Sequence, residues 1–156
     1  MTITILSITA KTLSGYTCTH FVDVIYNNFI HLANHPNLKH SKKEILRLLK
    51  SKNVILYVAI INNKISGYLL GEVIVLNDGR TVLYITYLYV ATKFRKLGIA
   101  SKLIDAANVY TMDKKINGLM LTCNTHDKYV LNFYTKKGFT VDMLLKTNSQ
   151  YEVFYL

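Results

Sequence analysis

The 156-residue sequence contains little cysteine and no long apolar run. Its two cysteines, Cys18 and Cys123, provide neither a disulfide framework nor the spacing of a metal site, which is typical of a reducing compartment. No apolar run reaches the ~20 residues that cross a bilayer, and the N-terminal Met-Thr-Ile-Thr-Ile lacks the basic start of a secretory signal. We therefore expect an intracellular, cytoplasmic protein, with the nucleus as the alternative location, and neither a metal nor a membrane partner.

Repeats, low-complexity segments and linkers are also missing. Apolar residues make up 51% of the chain and charged residues only 18%, so a largely disordered protein is excluded. The length suits one sizeable core. We predict a single domain over residues 1–156.

Carboxylates are few, and basic residues outnumber them. The sequence has nine Asp and Glu residues and nineteen Lys and Arg residues, which gives a formal net charge of +10. Such a charge indicates either an anionic partner or an ordinary solvated basic surface. Several cations surround a predicted second helix, namely Lys39, Lys42, Lys43, Arg47, Lys50 and Lys52. We favour a solvated helix face, with contact to an acidic substrate or to nucleic-acid phosphate as the alternative.

Hydrophobic periodicity predicts the order β-α-α-β-β-β-α-β-α-β-β. A first strand is expected over residues 2–9. A helix follows Gly15 and ends at residues 34–37, and a second helix starts at Ser41, which has capping-box spacing to Glu44. Strands are expected at Val54–Ile61, Ile65–Leu76, Thr81–Val90 and Leu119–Cys123. Further helices run to about Thr111 and over Lys128–Lys137, and a closing hairpin pairs Thr140–Leu145 with Tyr151–Leu156.

The stretch from Leu83 to Ser101 is the most informative. It reads as an aromatic and β-branched strand, a basic turn with Gly98, and the start of an amphipathic helix. Backbone N–H groups and the positive end of a helix dipole converge at such a turn. This arrangement predicts an anion site, and the small residues Gly98 and Ala100 let a phosphate approach the backbone.

Two blocks of sequence resemble the GCN5-related N-acetyltransferase (GNAT) family. Val90-x-x-x-x-Arg95-x-x-Gly98-x-Ala100 resembles its R-x-x-G-x-G/A signature, and the segment from Leu121 to Phe139 resembles N-x-x-A-x-x-F-Y-x-x-x-G-F. The resemblance implies an α+β fold: a mixed, mainly antiparallel twisted sheet of about seven strands flanked by about four helices. It also implies acetyl-CoA as co-substrate and direct attack by an amine in a ternary complex.

The resemblance further assigns residues that bind CoA. The turn backbone holds the pyrophosphate with added charge from Arg95, and backbone N–H groups near Leu88–Val90 face the thioester as oxyanion donors. Asp127 stands where the family often has asparagine; it either caps the helix or leaves the CoA hydrogen bond to Asn124 or Asn132. The full set of predicted CoA-binding residues is Leu88, Tyr89, Val90, Arg95, Lys96, Leu97, Gly98, Ile99, Ala100, Ser101, Asn124, Asn132 and Lys137.

Three residues are candidates for the chemistry. Tyr134 aligns with the tyrosine that protonates the leaving thiolate, and we favour that role, with a core aromatic on an amphipathic helix as the alternative. Tyr84, in Leu83-Tyr84-Ile85, resembles a tyrosine that helps deprotonate the amine through ordered water. Glu72 lies in an apolar strand, where a carboxylate is paired, at a solvated edge or functional. We expect structural roles for His126 and Cys123.

Three segments are most similar to protein N-terminal acetyltransferases: Leu83-Tyr84-Ile85, the stretch from Leu121 to Asp127, and Tyr151-Glu152-Val153. An α-amine (pKa ~8) loses its proton more easily at neutral pH than a lysine amine (~10.4), so tyrosine and water suffice as the base. We expect an N-terminal α-amine as acceptor. The alternatives are a lysine or small-molecule amine, or a catalytically silent basic module that binds nucleic acid or protein.

Overall fold

The computed structural model describes residues 1–9, 11–13, 15–33, 38–145 and 150–156. Within these residues, seven strands and four α-helices follow one another in the predicted order. The strands are β1 (Thr4–Ile8), β2 (Val54–Ile61), β3 (Lys64–Val75), β4 (Thr81–Val90), β5 (Gly118–Asn124), β6 (Thr140–Val141) and β7 (Tyr151–Tyr155). The helices are α1 (Gly15–Asn28), α2 (Lys42–Leu49), α3 (Ile99–Asp113) and α4 (Lys128–Lys136). Short 3-10 helices cover Ile30–Leu32 and Thr92–Phe94.

All seven strands form one sheet in the order β1-β2-β3-β4-β5-β7-β6. Among the described strands only β4 and β5 are parallel, and they pair over three positions, from Val82 opposite Gly118 to Tyr84 opposite Met120. Beyond Tyr84 the two strands separate. This mixed, mainly antiparallel sheet with helices on both faces confirms the predicted α+β class.

Strand alternation places one apolar core on each face of the sheet. On one face, Leu83 and Ile85 of β4 pack with α3 residues such as Leu103. On the other face, Ile25 of α1 and Leu49 of α2 cover the strands. Both faces are therefore buried, which is why the strand sequences are nearly continuous apolar runs.

A β-bulge in β4 changes which face its residues meet. Leu70 pairs with Tyr87 and Gly71 with Ile85, so Thr86 is the extra residue. One added residue inverts the alternation. Tyr87 consequently packs in the core under α1 and α2, whereas Ile85 packs under α3.

Local sequence signals explain several boundaries. Ser41 Oγ accepts from the Glu44 backbone N–H at 3.1 Å, which begins α2 as the capping spacing predicted. Gly138, at φ +99°, follows α4. The predicted end of α1 at residues 34–37 lies outside the described residues; α1 itself ends at Asn28.

The closing hairpin is shorter than predicted. The first strand ends at Val141 instead of Leu145, because the Asp142 side chain turns to Arg80, whose Nη2 lies 2.8 Å from Asp142 Oδ2. The predicted turn of the hairpin, around residues 146–150, falls mostly on residues 146–149, which lie outside the described residues. In the part of the chain that the structure describes, no helix is long and apolar enough to cross a membrane.

Candidate active site

The basic turn after β4 has the backbone shape of an anion site. Lys96 at φ +63° and Gly98 at φ +80° both adopt the left-handed conformation, with Leu97 between them. A Cβ on Gly98 would meet no heavy atom within 4 Å, so the space outside the turn is open. Alternation of left-handed and other conformations turns successive N–H groups toward one point.

Helix α3 begins at this turn with its first N–H groups free of side-chain caps. Its N-cap Gly98 has no side chain, and no capping hydrogen bond forms. Ile99, which is 1% exposed, anchors the first turn in the core, and Ala100 and Ser101 follow it. A fifteen-residue helix with an open N-terminus attracts negative charge. The predicted pyrophosphate site therefore fits the residues present.

Two side chains brace the turn. Arg95 Nε donates to the Val90 carbonyl at 3.0 Å, which closes the turn onto the end of β4. Lys137 Nζ donates to Ser101 Oγ at 2.9 Å and pairs with Asp105, which ties the end of α4 to the first turns of α3. Lys96 and the remainder of the Arg95 side chain stay exposed.

Backbone groups of β4 line the gap that opens where β4 and β5 separate. The Ala91 N–H donates to the Ser66 carbonyl at 2.9 Å, and Val90 lies opposite Gly67. Alternation in an antiparallel ladder then turns the backbone groups of Leu88 and Val90 away from β3, toward the gap. The backbone of Tyr89 faces β3, and its ring packs on the α1 side.

Tyr134 lies on α4 against the core. Its ring packs edge-on against Phe133 at 5.2 Å and Phe139 at 5.5 Å between centroids. Burial raises the pKa of the Tyr134 phenol far above its ordinary value, and Cys123 adds to the shift. Its hydroxyl makes no hydrogen bond with any residue that the structure describes. The phenol therefore keeps its proton at neutral pH, and its hydroxyl is not occupied by any described residue.

Tyr84 contacts a residue that the sequence analysis did not single out. Its hydroxyl shares a hydrogen bond of 2.5 Å with Thr122 Oγ1 on β5. Burial raises the pKa of Tyr84, while the bond to Thr122 opposes that shift. Thr122 precedes Cys123, so the two side chains leave opposite faces of β5. Tyr84 and Tyr134 thus approach β5 from opposite sides.

Glu72 on β3 is held by two partners. Arg47 Nη2 lies 3.0 Å from Oε1 and Ser51 Oγ lies 2.9 Å from Oε2. Of the three alternatives that the sequence left open for this carboxylate, the structure shows the paired one. A catalytic role for Glu72 stays a prediction. To act as a base, the carboxylate would have to release Arg47 or Ser51.

The residues at the start of α4 serve local structure. Asp127 Oδ1 accepts from the Val130 N–H at 3.2 Å, the capping role that its sequence position allowed. Asn124 Oδ1 accepts from the His126 N–H at 3.0 Å. Asn132 is exposed on α4. Coenzyme contacts by Asn124 and Asn132 remain predictions.

A small cavity lies beneath α2, on the face of the sheet that α1 and α2 cover. It measures about 140 Å³ and is lined by Lys39, Glu44, Arg47, Leu48, Thr86 and Tyr87. Carboxylates neutralise part of the basic helix beside it: Lys42 pairs with Asp23 at 3.0 Å and Arg47 with Glu44 at 2.7 Å. This pairing supports the solvated-face interpretation for those two cations.

Part of this site depends on contacts between residues that are distant in the sequence. Thr122 lies near Tyr84 because Tyr84 pairs with Met120 in the parallel register of β4 and β5, and local sequence patterns do not predict that register. The bulge at Thr86 carries no glycine or proline signal of its own. Among the described residues, no group of three or more His, Cys, Asp or Glu is arranged to hold a metal.

Comparison with known proteins adds independent findings. The sequence model of the acetyltransferase (GNAT) family matches residues 22–139. The search of curated protein sequences gives no match.

Solved structures resemble the chain over most of its length. An aminoglycoside acetyltransferase from an uncultured soil metagenomic sample, in complex with sisomicin, is 24% identical, with 86% of each chain covered and a TM-score of 0.65. Arabidopsis thaliana NAA60 with acetyl-CoA is 15% identical over 99% of this chain and 96% of its own, with a TM-score of 0.71. The PaiA N-acetyltransferase of Thermoplasma acidophilum with coenzyme A is 15% identical over 99% and 98%, also with a TM-score of 0.71. These likenesses establish the shared fold.

Proposed function

Because the chain belongs to the acetyltransferase (GNAT) family, as the match over residues 22–139 shows, we propose that it acetylates a protein N-terminal α-amine. Acetyl-CoA is the co-substrate of this N-acetyltransferase.

The choice of acceptor rests on the lack of acidic residues in the two described strands that border the gap. Strands β4 and β5 contain no Asp or Glu, and Glu72 is engaged by Arg47 and Ser51. A lysine amine (pKa ~10.4) needs a strong base at neutral pH, whereas an α-amine (~8) is already partly neutral. This setting favours the more easily deprotonated amine.

Four tasks are then divided among named groups. The turn from Lys96 to Ser101 and the start of α3 bind the pyrophosphate. The backbone N–H groups of Leu88 and Val90 stabilise the oxyanion that forms when the amine attacks the thioester carbonyl. As the C–S bond breaks, Tyr134 gives its proton to the leaving sulfur. The attacking nitrogen loses its extra proton to solvent and the Tyr134 phenolate regains a proton from solvent, so the products are the amide and free CoA thiol and the enzyme is unchanged.

Tyr84 takes part on the amine side of this scheme. With its raised pKa it keeps its proton at neutral pH, so it acts by holding a water or the amine beside Thr122 rather than as an anionic base. That role suits an acceptor which needs only modest help to lose its proton.

A small-molecule amine is the second candidate. The soil aminoglycoside acetyltransferase complexed with sisomicin shares 24% identity with this chain, and the cavity beneath α2, at about 140 Å³, suits a compact group. This candidate uses the same coenzyme turn.

The test is acetyl-CoA turnover on matched acceptors. Each free-N-terminus peptide is paired with an N-blocked twin that contains lysine, and sisomicin is included as a small amine. Acetylation of only the free N-termini supports the proposal. Transfer to the blocked twins identifies a lysine acceptor, and transfer to sisomicin alone identifies the small-amine class; either result contradicts it.

A further inference from the structure

A buried histidine sits behind β4 and has no role in the scheme above. His40 is 6% exposed and lies just before α2. Its ring stacks on Tyr26 of α1 with 5.0 Å between centroids and 5° between planes, and it meets Tyr87 of β4 edge-on at 5.6 Å. Residues from three separate segments therefore fix the position of this imidazole.

Its hydrogen bonds fix the tautomer as well. Nε2 lies 3.1 Å from the Tyr26 backbone oxygen, which only accepts, so Nε2 carries the proton. A neutral imidazole has one N–H, so Nδ1 accepts from the Tyr87 hydroxyl at 2.7 Å. Tyr87 thus donates its proton to His40 and keeps phenol lone pairs for another donor.

Tyr87 connects this pair to the acceptor side of the site. With Thr86 it lines the cavity beneath α2, and Leu88, whose backbone faces the β4–β5 gap, is the next residue along the strand. The volume of about 140 Å³ accommodates ordered water, since one water occupies about 30 Å³. Burial, with a contribution from Glu44, raises the pKa of Tyr87 to about 12, so the phenol stays protonated at neutral pH.

We propose that Tyr87 and His40 form a relay that accepts the proton of the acceptor ammonium. This inference rests on the proposed function only in requiring an amine acceptor. The ammonium N–H proton passes to Tyr87 Oη, directly or through one water in the cavity, while the original Tyr87 proton passes to His40 Nδ1. The amine becomes neutral, Tyr87 is unchanged, and His40 becomes an imidazolium that keeps its Nε2–H bond to Tyr26.

Charged groups around the relay are paired or positive. Glu44 and Arg47, which both line the cavity, form an ion pair with each other. Lys42 of α2 pairs with Asp23 of α1 and lies over the Tyr26 ring, 5.5 Å from its centroid. Lys39, beside His40 in the chain, adds a positive charge at the cavity. A positive charge there favours release of the relayed proton to solvent after each turnover.

The dependence of kcat/KM on pH tests the relay. We expect His40→Gln and Tyr87→Phe to lower kcat/KM by about 100-fold at pH 7, the usual size of a lost acid–base contribution. The deficit should shrink as pH rises and should vanish once the acceptor amine is neutral in solution, near pH 9.5. The affinity for acetyl-CoA should not change. His31→Gln and Tyr129→Phe alter exposed residues of the same types and should leave the profile unchanged.

Each failure has a distinct meaning. A deficit of equal size at every pH indicates a purely structural role and overturns the relay, as does wild-type activity at pH 7 in both variants. Tyr87→Phe keeps the ring and so remains informative if His40→Gln does not fold. Failure of the wild-type protein to acetylate any amine of the panel contradicts the proposed function and the relay together, whereas pH-independent losses contradict the relay alone.

Discussion

The coenzyme side and the acceptor side of β4 are built by different means. The proposed coenzyme side is a continuous stretch, from Val90 through the left-handed Lys96 and Gly98 into α3, and the groups that we expect to bind the coenzyme are backbone N–H groups. The acceptor side gathers side chains from separate elements: His40 before α2, Tyr87 on β4 and Tyr26 on α1. Backbone sites tolerate many sequences, whereas side-chain sites depend on each partner.

This difference suggests that the two sides respond differently to substitution. Changes on the coenzyme side should alter acetyl-CoA affinity. Changes at side chains near the gap should alter turnover while binding persists. Four substitutions test that separation, beginning with the largest expected effect.

Tyr134→Phe should lower kcat by about 100-fold, because the leaving thiolate loses its proton donor. Acetyl-CoA affinity should stay within a factor of about three, since the hydroxyl makes no contact with the turn. Steady-state kinetics and calorimetry measure the two quantities. Tyr129→Phe, on the same helix but 70% exposed, is the matched control. Unchanged kcat in Tyr134→Phe would remove this residue from the chemistry.

Gly98→Val should weaken acetyl-CoA binding by at least about tenfold. A β-branched residue is strained at φ +80°, and its side chain would occupy the open space where a phosphate approaches. Gly79→Val is a matched control, because Gly79 also has positive φ (+92°) and open space but lies in the turn between β3 and β4, at the opposite end of β4. Equal loss of affinity in both variants would show that strain alone, and not the site, is responsible.

Tyr84→Phe should lower kcat/KM by about tenfold at pH 7 with little change in acetyl-CoA affinity, because the water or amine held beside Thr122 loses one partner. Thr122→Val removes the other hydroxyl of the same pair and should produce a loss in the same direction. If both variants turn over at the wild-type rate, the pair is structural.

Glu72→Gln should have the smallest effect on turnover and a clear effect on stability. The Glu72 side chain is 18% exposed, and its carboxylate binds Arg47 and Ser51. Weakening such a partly buried pair lowers the free energy of unfolding by roughly 1 kcal/mol. Thermal unfolding and turnover are measured together. A turnover number reduced by about two orders of magnitude, the size of a lost general base, without a shift in the melting temperature would instead make Glu72 the base.

The sequence predicted the features of the proposed coenzyme side but not the contacts of the proposed acceptor side. The turn, α3 and the element order depend on local spacing: Gly98, the apolar period from Ile99, and the Ser41 cap each act within a few residues. The pairing of His40 with Tyr87 joins residues 47 apart in the chain, and only the bulge at Thr86 turns Tyr87 toward it. No local pattern encodes such a contact.

Glu72 and the closing hairpin illustrate the same limit. The apolar strand around Glu72 left the carboxylate paired, at a solvated edge or functional, and did not predict that Arg47 of α2 would be its partner. In the hairpin, alternation predicted a strand to Leu145, yet the strand ends at Val141, next to the Asp142 carboxylate that binds Arg80, 62 residues away. In both places the cation that pairs with the carboxylate is distant in the sequence.

The separation of the two sides is tested most directly by calorimetric titration of acetyl-CoA into the wild-type protein and the Tyr87→Phe variant, followed by turnover of both on a free-N-terminus peptide at pH 7 and pH 9.5. We predict one binding site of equal affinity in both proteins and a turnover deficit in the variant that is large at pH 7 and absent at pH 9.5. Absence of acetyl-CoA binding to the wild-type protein, or loss of binding in Tyr87→Phe, would contradict that separation.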